Sequence, residues 1–167
     1  MMKFRDLTAD EIEVRIGSVK KSGLVLLLYK NARCDMNILD ETVGAENWQR
    51  EHYECKGNLF CRVAIKNDGG EWIWKSDCGS ESNAEKEKGE ASDSFKRACV
   101  NWGIGRELYT APFIWIPEGK YTIKEGKCYD NFEVERIRIE NKRITGLSII
   151  NSTLGERVFA VALGGAN

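Results

Sequence analysis

The sequence predicts an α+β fold: a β-β-β-α core preceded by an N-terminal helix and followed by a C-terminal β-rich extension. Three observations predict it. Strand-like segments at residues 48–55, 59–66 and 72–77 follow one another with turn residues between them. A long amphipathic helix pattern comes next, with Ala91, Phe95, Ala98 and Trp102 at i, i+4, i+7 and i+11. Beyond Pro117 the pattern returns to strands. The 167 residues suit one domain, with residues 1–117 as core and 118–167 as a β-meander packed on it.

The elements follow in order. Thr8-Ala9-Asp10-Glu11 fits a capping box, in which hydroxyl and carboxylate satisfy orphaned amides. It predicts a short helix carrying Ile12 and Ile16. Residues 24–29 (LVLLLY) read as a strand, and a short helix is expected around residues 36–42. In residues 59–66, Leu59, Cys61, Val63 and Ile65 point one way. Phe60, Arg62, Ala64 and Lys66 point the other way and mix base-stackable with basic side chains. Asp68-Gly69-Gly70 signals a hairpin turn. Ser82-Asn83-Ala84-Glu85 is a second capping box and opens the long helix. Gly103 is its expected C-cap, and Pro112 and Pro117 forbid continuation. Strands are then expected at residues 121–123, 133–140, 143–150 and 157–163. Turns fall at Asn141-Lys142 and Thr153-Leu154-Gly155. Imperfect alternation over residues 133–139 signals a bulge or a shifted register.

Composition excludes several classes. Hydrophobic residues are 42% and charged residues 31%, as in a soluble globular protein. No apolar run nears the roughly 20 residues of a membrane span. The N-terminus lacks the apolar core of a secretory signal, so the cytoplasm is the expected location and no membrane partner is expected. Six cysteines without a C-x-x-C pair, and a single histidine, His52, point to reduced structural thiols rather than a zinc site. Net charge is −1, so any polyanion binding must come from charge segregation. Residues 15–33 hold Arg15, Lys20, Lys21, Lys30 and Arg33 with no acid among them.

Signals for catalysis are poor. There is no G-x-x-x-x-G-K-[ST] motif. Gly103-Ile104-Gly105 lacks the third glycine of a dinucleotide loop and follows a helix instead of preceding one. His52 sits in a strand without a triad context. Glu85, Glu87 and Glu90 suit a helix start, where the macrodipole favours negative charge, although a Mg²⁺-dependent nuclease would also use such a cluster. No catalytic residue, metal or cofactor is expected. Lys96 and Arg97 are the sharper feature. They flank the apolar stripe at the edge of a packed surface, where a rigid helix can present them to phosphates. Trp102 is read as core, although it and Trp115 could instead stack bases.

Residues 77–109 (DCGSESNAEKEKGEASDSFKRACVNWGIGRELY) resemble the signature of the Rad-fifty-two-like single-strand annealing proteins, which include bacteriophage recombinases of the Sak type. The matching features are a strand, a Gly-Ser-Glu turn and an acidic helix start. A Ser-Asp-x-x-Lys-Arg-Ala core and a two-glycine exit into Leu-Tyr follow. Glu11-Ile12-Glu13-Val14-Arg15 is similar to the family's first helix, and Val43-Gly44-Ala45-Glu46-Asn47-Trp48 to its entry into the sheet. The resemblance spans residues 8–110.

It implies ATP-independent binding and annealing of single-stranded DNA in recombination and repair, in a bacterial host cytoplasm. It implies that Lys96 and Arg97 line an inner groove that Arg15 also faces. Lys56 is similar to an outer-site lysine, and Val100 departs from a basic position of the family. Arg62 and Lys66 complete the candidate DNA-binding set. The implied partners are single-stranded DNA, further copies of the chain in a ring or helical oligomer, and a single-strand DNA-binding protein. The rival readings are an RNA-binding module without annealing activity, since β-β-β-α with basic helix ends also suits duplex RNA, and the nuclease.

Overall fold

The computed structural model describes residues 2–80 and 86–163, with the side chain of Lys86 excepted. In chain order the elements are β1 (Glu13–Val19), β2 (Gly23–Tyr29), α1 (Ala32–Val43), β3 (Trp48–Cys55), β4 (Asn58–Lys66), β5 (Trp72–Cys78), α2 (Lys86–Trp102), β6 (Ile114–Pro117), β7 (Phe132–Glu140), β8 (Arg143–Asn151) and β9 (Glu156–Ala162). Short 3-10 turns precede β1, β3 and β6. Among the described residues the fold is α+β, with two α-helices and antiparallel sheets.

Two compact units emerge. The first joins the segment ending at Arg5 to Asn31–Gly105. In it β3, β4 and β5 form a three-stranded meander. Cys61, Val63 and Ile65 of β4 are buried, as the alternation requires, and α2 packs on β4 and β5. Helix α1 packs against α2 and buries Cys34, Ile38 and Leu39. Its N-terminus is capped by the Asn31 side chain, which accepts from the Cys34 amide at 3.0 Å.

The second unit joins Asp6–Lys30 to the segment that starts at Arg106. Its six strands run in the order β6-β2-β1-β7-β8-β9. Two ladders, β6-β2-β1 and β7-β8-β9, meet at one registered pair, Glu13 with Glu133. One apolar cluster spans both ladders, with Leu24, Leu26 and Ile116 from the first and Phe132, Ile144 and Ile149 from the second.

Sequence and structure part in three places. The expected N-terminal helix is instead a 3-10 turn, Ala9–Glu11, that runs into strand β1. The Glu11 half of the capping box forms, with its carboxylate accepting from the Thr8 amide at 2.9 Å. The β-branched residues Ile12, Val14 and Ile16 alternate with Glu13 and Arg15, and that period of two prevails over the i, i+4 spacing. Residues 121–123 are not a strand. Thr122 gives both its amide and its hydroxyl to the buried Asp130 carboxylate, so local bonds replace a ladder. Conversely, β6 follows Pro112 and ends on Pro117, the two prolines read as breakers. It pairs Ile114 with Leu26 and Ile116 with Leu24, and Pro117 closes it at the strand end, where proline is tolerated.

Strand β7 carries register shifts at Val134/Arg136 and Arg138/Ile139, in line with the broken alternation. The second capping box, at residues 82–85, lies outside the described residues. Among the described residues no helix is long and apolar enough to cross a membrane.

Candidate nucleic-acid interface

Helix α2 positions the adjacent cations. Ser94, Phe95, Ala98 and Cys99 are fully buried, and Lys96 and Arg97 stand half-buried between those pairs. The helix is pinned at several points. The indole of Trp102, a half-buried ring and not a core one, donates to the Val63 carbonyl at 3.0 Å. Glu90 accepts from the Leu59 amide at 3.0 Å, Asp93 accepts from the Ser80 amide at 2.8 Å, and the His52 ring meets the Ala91 carbonyl at 3.1 Å. Glu90, Asp93 and the lone histidine are thus holding backbone. Among the described residues no group of three or more acidic, histidine or cysteine side chains could hold a metal. The chain passes so close to α2 at Gly79 that a Cβ there would lie 2.3 Å from the Glu90 carbonyl.

The helix exit is a Schellman motif. Ile104 donates to the Cys99 carbonyl at 3.0 Å and Gly103 to that of Val100 at 2.9 Å. Gly103 (φ 102°) and Gly105 (φ 69°) supply the left-handed backbone that turns the chain away.

Arg97 is incompletely satisfied. Its Nε is buried without a hydrogen-bond partner and stands 3.7 Å from Asp77 Oδ1. That separation is an ion pair without a hydrogen bond. With Nε buried and the side chain 43% exposed overall, an oxyanion would meet the guanidinium at its terminal nitrogens.

The remaining candidates fall elsewhere. Arg62 and Lys66 lie on the face of the three-stranded sheet turned away from α2, as the alternation predicts. Arg62 donates through Nε to Glu51 at 2.9 Å and its guanidinium lies 4.3 Å from the Trp74 ring centroid. Lys66 Nζ lies 5.3 Å from the Trp72 ring. Lys56 sits at the exposed turn between β3 and β4 with φ 53°. Arg15 belongs to the second unit. It donates to Glu13 at 2.6 Å and lies 4.5 Å over the Tyr29 ring. The structure thus sets Lys96 and Arg97 on the helix, and Arg62 and Lys66 on the opposite side of the sheet.

Sequence reasoning passed over Arg50, Lys75 and Tyr29. Arg50 covers the Phe95 ring at 4.6 Å. Lys75 covers Trp102 at 4.8 Å and donates to the Asn101 carbonyl at 3.1 Å, next to the helix C-terminus. Period-two alternation extended from residues 59–66 to β3 and β5 assigns Arg50 and Lys75 to the helix side, and Trp72 and Trp74 to the other.

A family model described as Rad52/22 family double-strand break repair protein matches residues 4–128. The match includes β1 with Arg15, the three-stranded sheet, and α2 with Lys96 and Arg97. No curated protein matches the chain. With three quarters of its length covered, the chain belongs to the Rad52/22 family, whose work is DNA recombination and repair.

Proposed function

We propose that the chain is an ATP-independent single-stranded DNA binding and annealing protein of the bacteriophage Sak type, acting in homologous recombination within a bacterial host cytoplasm. The observation that carries this reading is the half-buried Lys96–Arg97 pair on α2, with an Arg97 Nε that makes no hydrogen bond. Phosphates held there leave the bases free to pair. Pairing supplies the free energy, so no nucleotide hydrolysis is required. Arg15, Lys56, Arg62 and Lys66 are the further DNA-binding candidates.

A chain of net charge −1 gains little from one protomer's field. Affinity then comes from many sites acting together on a homo-oligomeric ring or filament. Binding should fall steeply with salt and depend weakly on sequence. A single-strand DNA-binding protein is the partner that would hand over its strand.

The test is annealing of two complementary oligonucleotides without nucleotide or Mg²⁺, for wild type and Lys96→Ala/Arg97→Ala. Acceleration by wild type, lost in a variant that keeps its fold and oligomeric mass, is the expected result. No acceleration by wild type would reject annealing. Duplex RNA at equal salt serves as the competing ligand, and preference for it would select the RNA-binding reading.

A further inference from the structure

The sheet face turned away from α2 carries side chains that a solvent face does not need. An antiparallel sheet packed on one side ordinarily presents polar residues on the other. Here Tyr53 of β3, Phe60 of β4, and Trp72 and Trp74 of β5 share that face with Arg62 and Lys66. The registers Tyr53 with Phe60, Ala64 with Trp74 and Lys66 with Trp72 set them side by side. Tyr53 is 36% exposed and Trp74 37%. Tyr53 and Phe60 stack at 5.6 Å between ring centroids with 23° between planes.

Charge identifies the occupant. Among the registered positions of this face the only carboxylate is Glu51, and it is spent on Arg62. Two cations against one anion leave the face positive on a chain whose net charge is −1. A ligand that offers both π-faces and negative charge fits it. A second copy of the same face would set cation against cation. Glu51 also holds the Arg62 guanidinium over Trp74, so the pair presents a fixed flat surface of the kind on which bases stack.

We propose that this face is a base-stacking platform for single-stranded DNA, with Tyr53, Phe60, Trp72 and Trp74 receiving bases and Lys66 meeting the phosphate between them. This rests on the single-strand binding reading above and adds a site on the other side of the sheet from Lys96 and Arg97. The chemistry it contributes is stacking, which tolerates any sequence.

The experiment separates bases from phosphates. Affinity is measured by fluorescence anisotropy for an oligothymidylate and for an oligonucleotide of equal length with every base removed. Trp74→Leu keeps an apolar cover over the buried Ala64, and Tyr53→Leu tests the other end of the face. Each should weaken oligothymidylate binding about tenfold and leave the base-free strand unchanged. Lys96→Ala/Arg97→Ala should weaken both. Circular dichroism and light scattering verify fold and oligomeric mass.

An unchanged ratio of the two affinities in folded variants overturns the platform while leaving single-strand binding intact. An unchanged ratio with an altered oligomeric mass also overturns it and makes the face a contact between copies. If wild type binds neither strand, the platform and the proposed function fall together.

Discussion

Arg97 and Asp77 face each other across the edge of α2 and β5 without a hydrogen bond, Nε standing 3.7 Å from Oδ1. That same Oδ1 is taken by the Cys78 amide at 2.7 Å. Arg15 and Arg62 have their own carboxylates, Glu13 and Glu51. A phosphate that reaches Arg97 must therefore displace Asp77. Exposed pairs of this kind are worth about 0.2–1 kcal/mol. Asp77→Asn, which retains an oxygen for the Cys78 amide, should bind single-stranded DNA about 1.5- to 5-fold more tightly. Titration by anisotropy checks this. Weaker binding would show instead that the carboxylate orients the guanidinium.

The exit of α2 should be sensitive at one atom. Gly103 has φ 102°, a conformation in which a Cβ is strained. Gly103→Ala should cost about 1–2 kcal/mol. Urea unfolding measures it.

Asp130 gives the second unit a dependence on acid. Burial alone would raise its pKa. Hydrogen bonds from Thr122 and Asn151 outweigh burial and hold the carboxyl below the usual carboxylate range. The folded value is depressed, so the stabilisation is complete above the unfolded value of about 3.9. It is lost as pH falls through the lower, folded value. Asp130→Asn should cost about 1–3 kcal/mol at neutral pH, because its one oxygen replaces two and the charge that the Thr122 and Asn151 donors face is lost. It should also flatten the decline in acid. Thermal unfolding at several pH values tests both.

The six cysteines are free thiols, and their environments differ. Burial pushes the Cys61 thiol up to about 11, against the opposing pull of Arg50. Cys55, by contrast, is exposed. With iodoacetamide at about pH 8, Cys55 should be alkylated first and Cys61 only on unfolding, since the thiolate is the nucleophile. Peptide mass mapping against time decides it.

The β3-β4-β5-α2 run was legible because its signals are local. Alternation along 59–66 and the stripe through Phe95 and Ala98 each fix a face without reference to distant chain. Gly103 was readable as a cap for the same reason. Strand β1 was not, because Ile12 and Ile16 satisfy both a helical spacing and, with Val14, a period of two. Only pairing with β2 decides between them. Strand β6 was hidden by prolines whose tolerance depends on a strand end that sequence does not show. Lys96 and Arg97 stood out as an adjacent pair. The Asp77 partner of Arg97 and the Arg62–Trp74 stack depend on cross-strand and helix-to-sheet register, which no short window of sequence contains.

The single pair joining β1 to β7 has a mechanical consequence. The two ladders of the six-stranded sheet share one bridge, Glu13 with Glu133, while their common apolar cluster extends over both. Hydrophobic attraction has no preferred direction, whereas ladder hydrogen bonds do. Side-chain packing, with bonds from Ile144 to Thr110 and from Asn151 to Lys120, therefore carries most of the join between the ladders. Within each ladder the hold is directional, and across the seam it is mostly apolar.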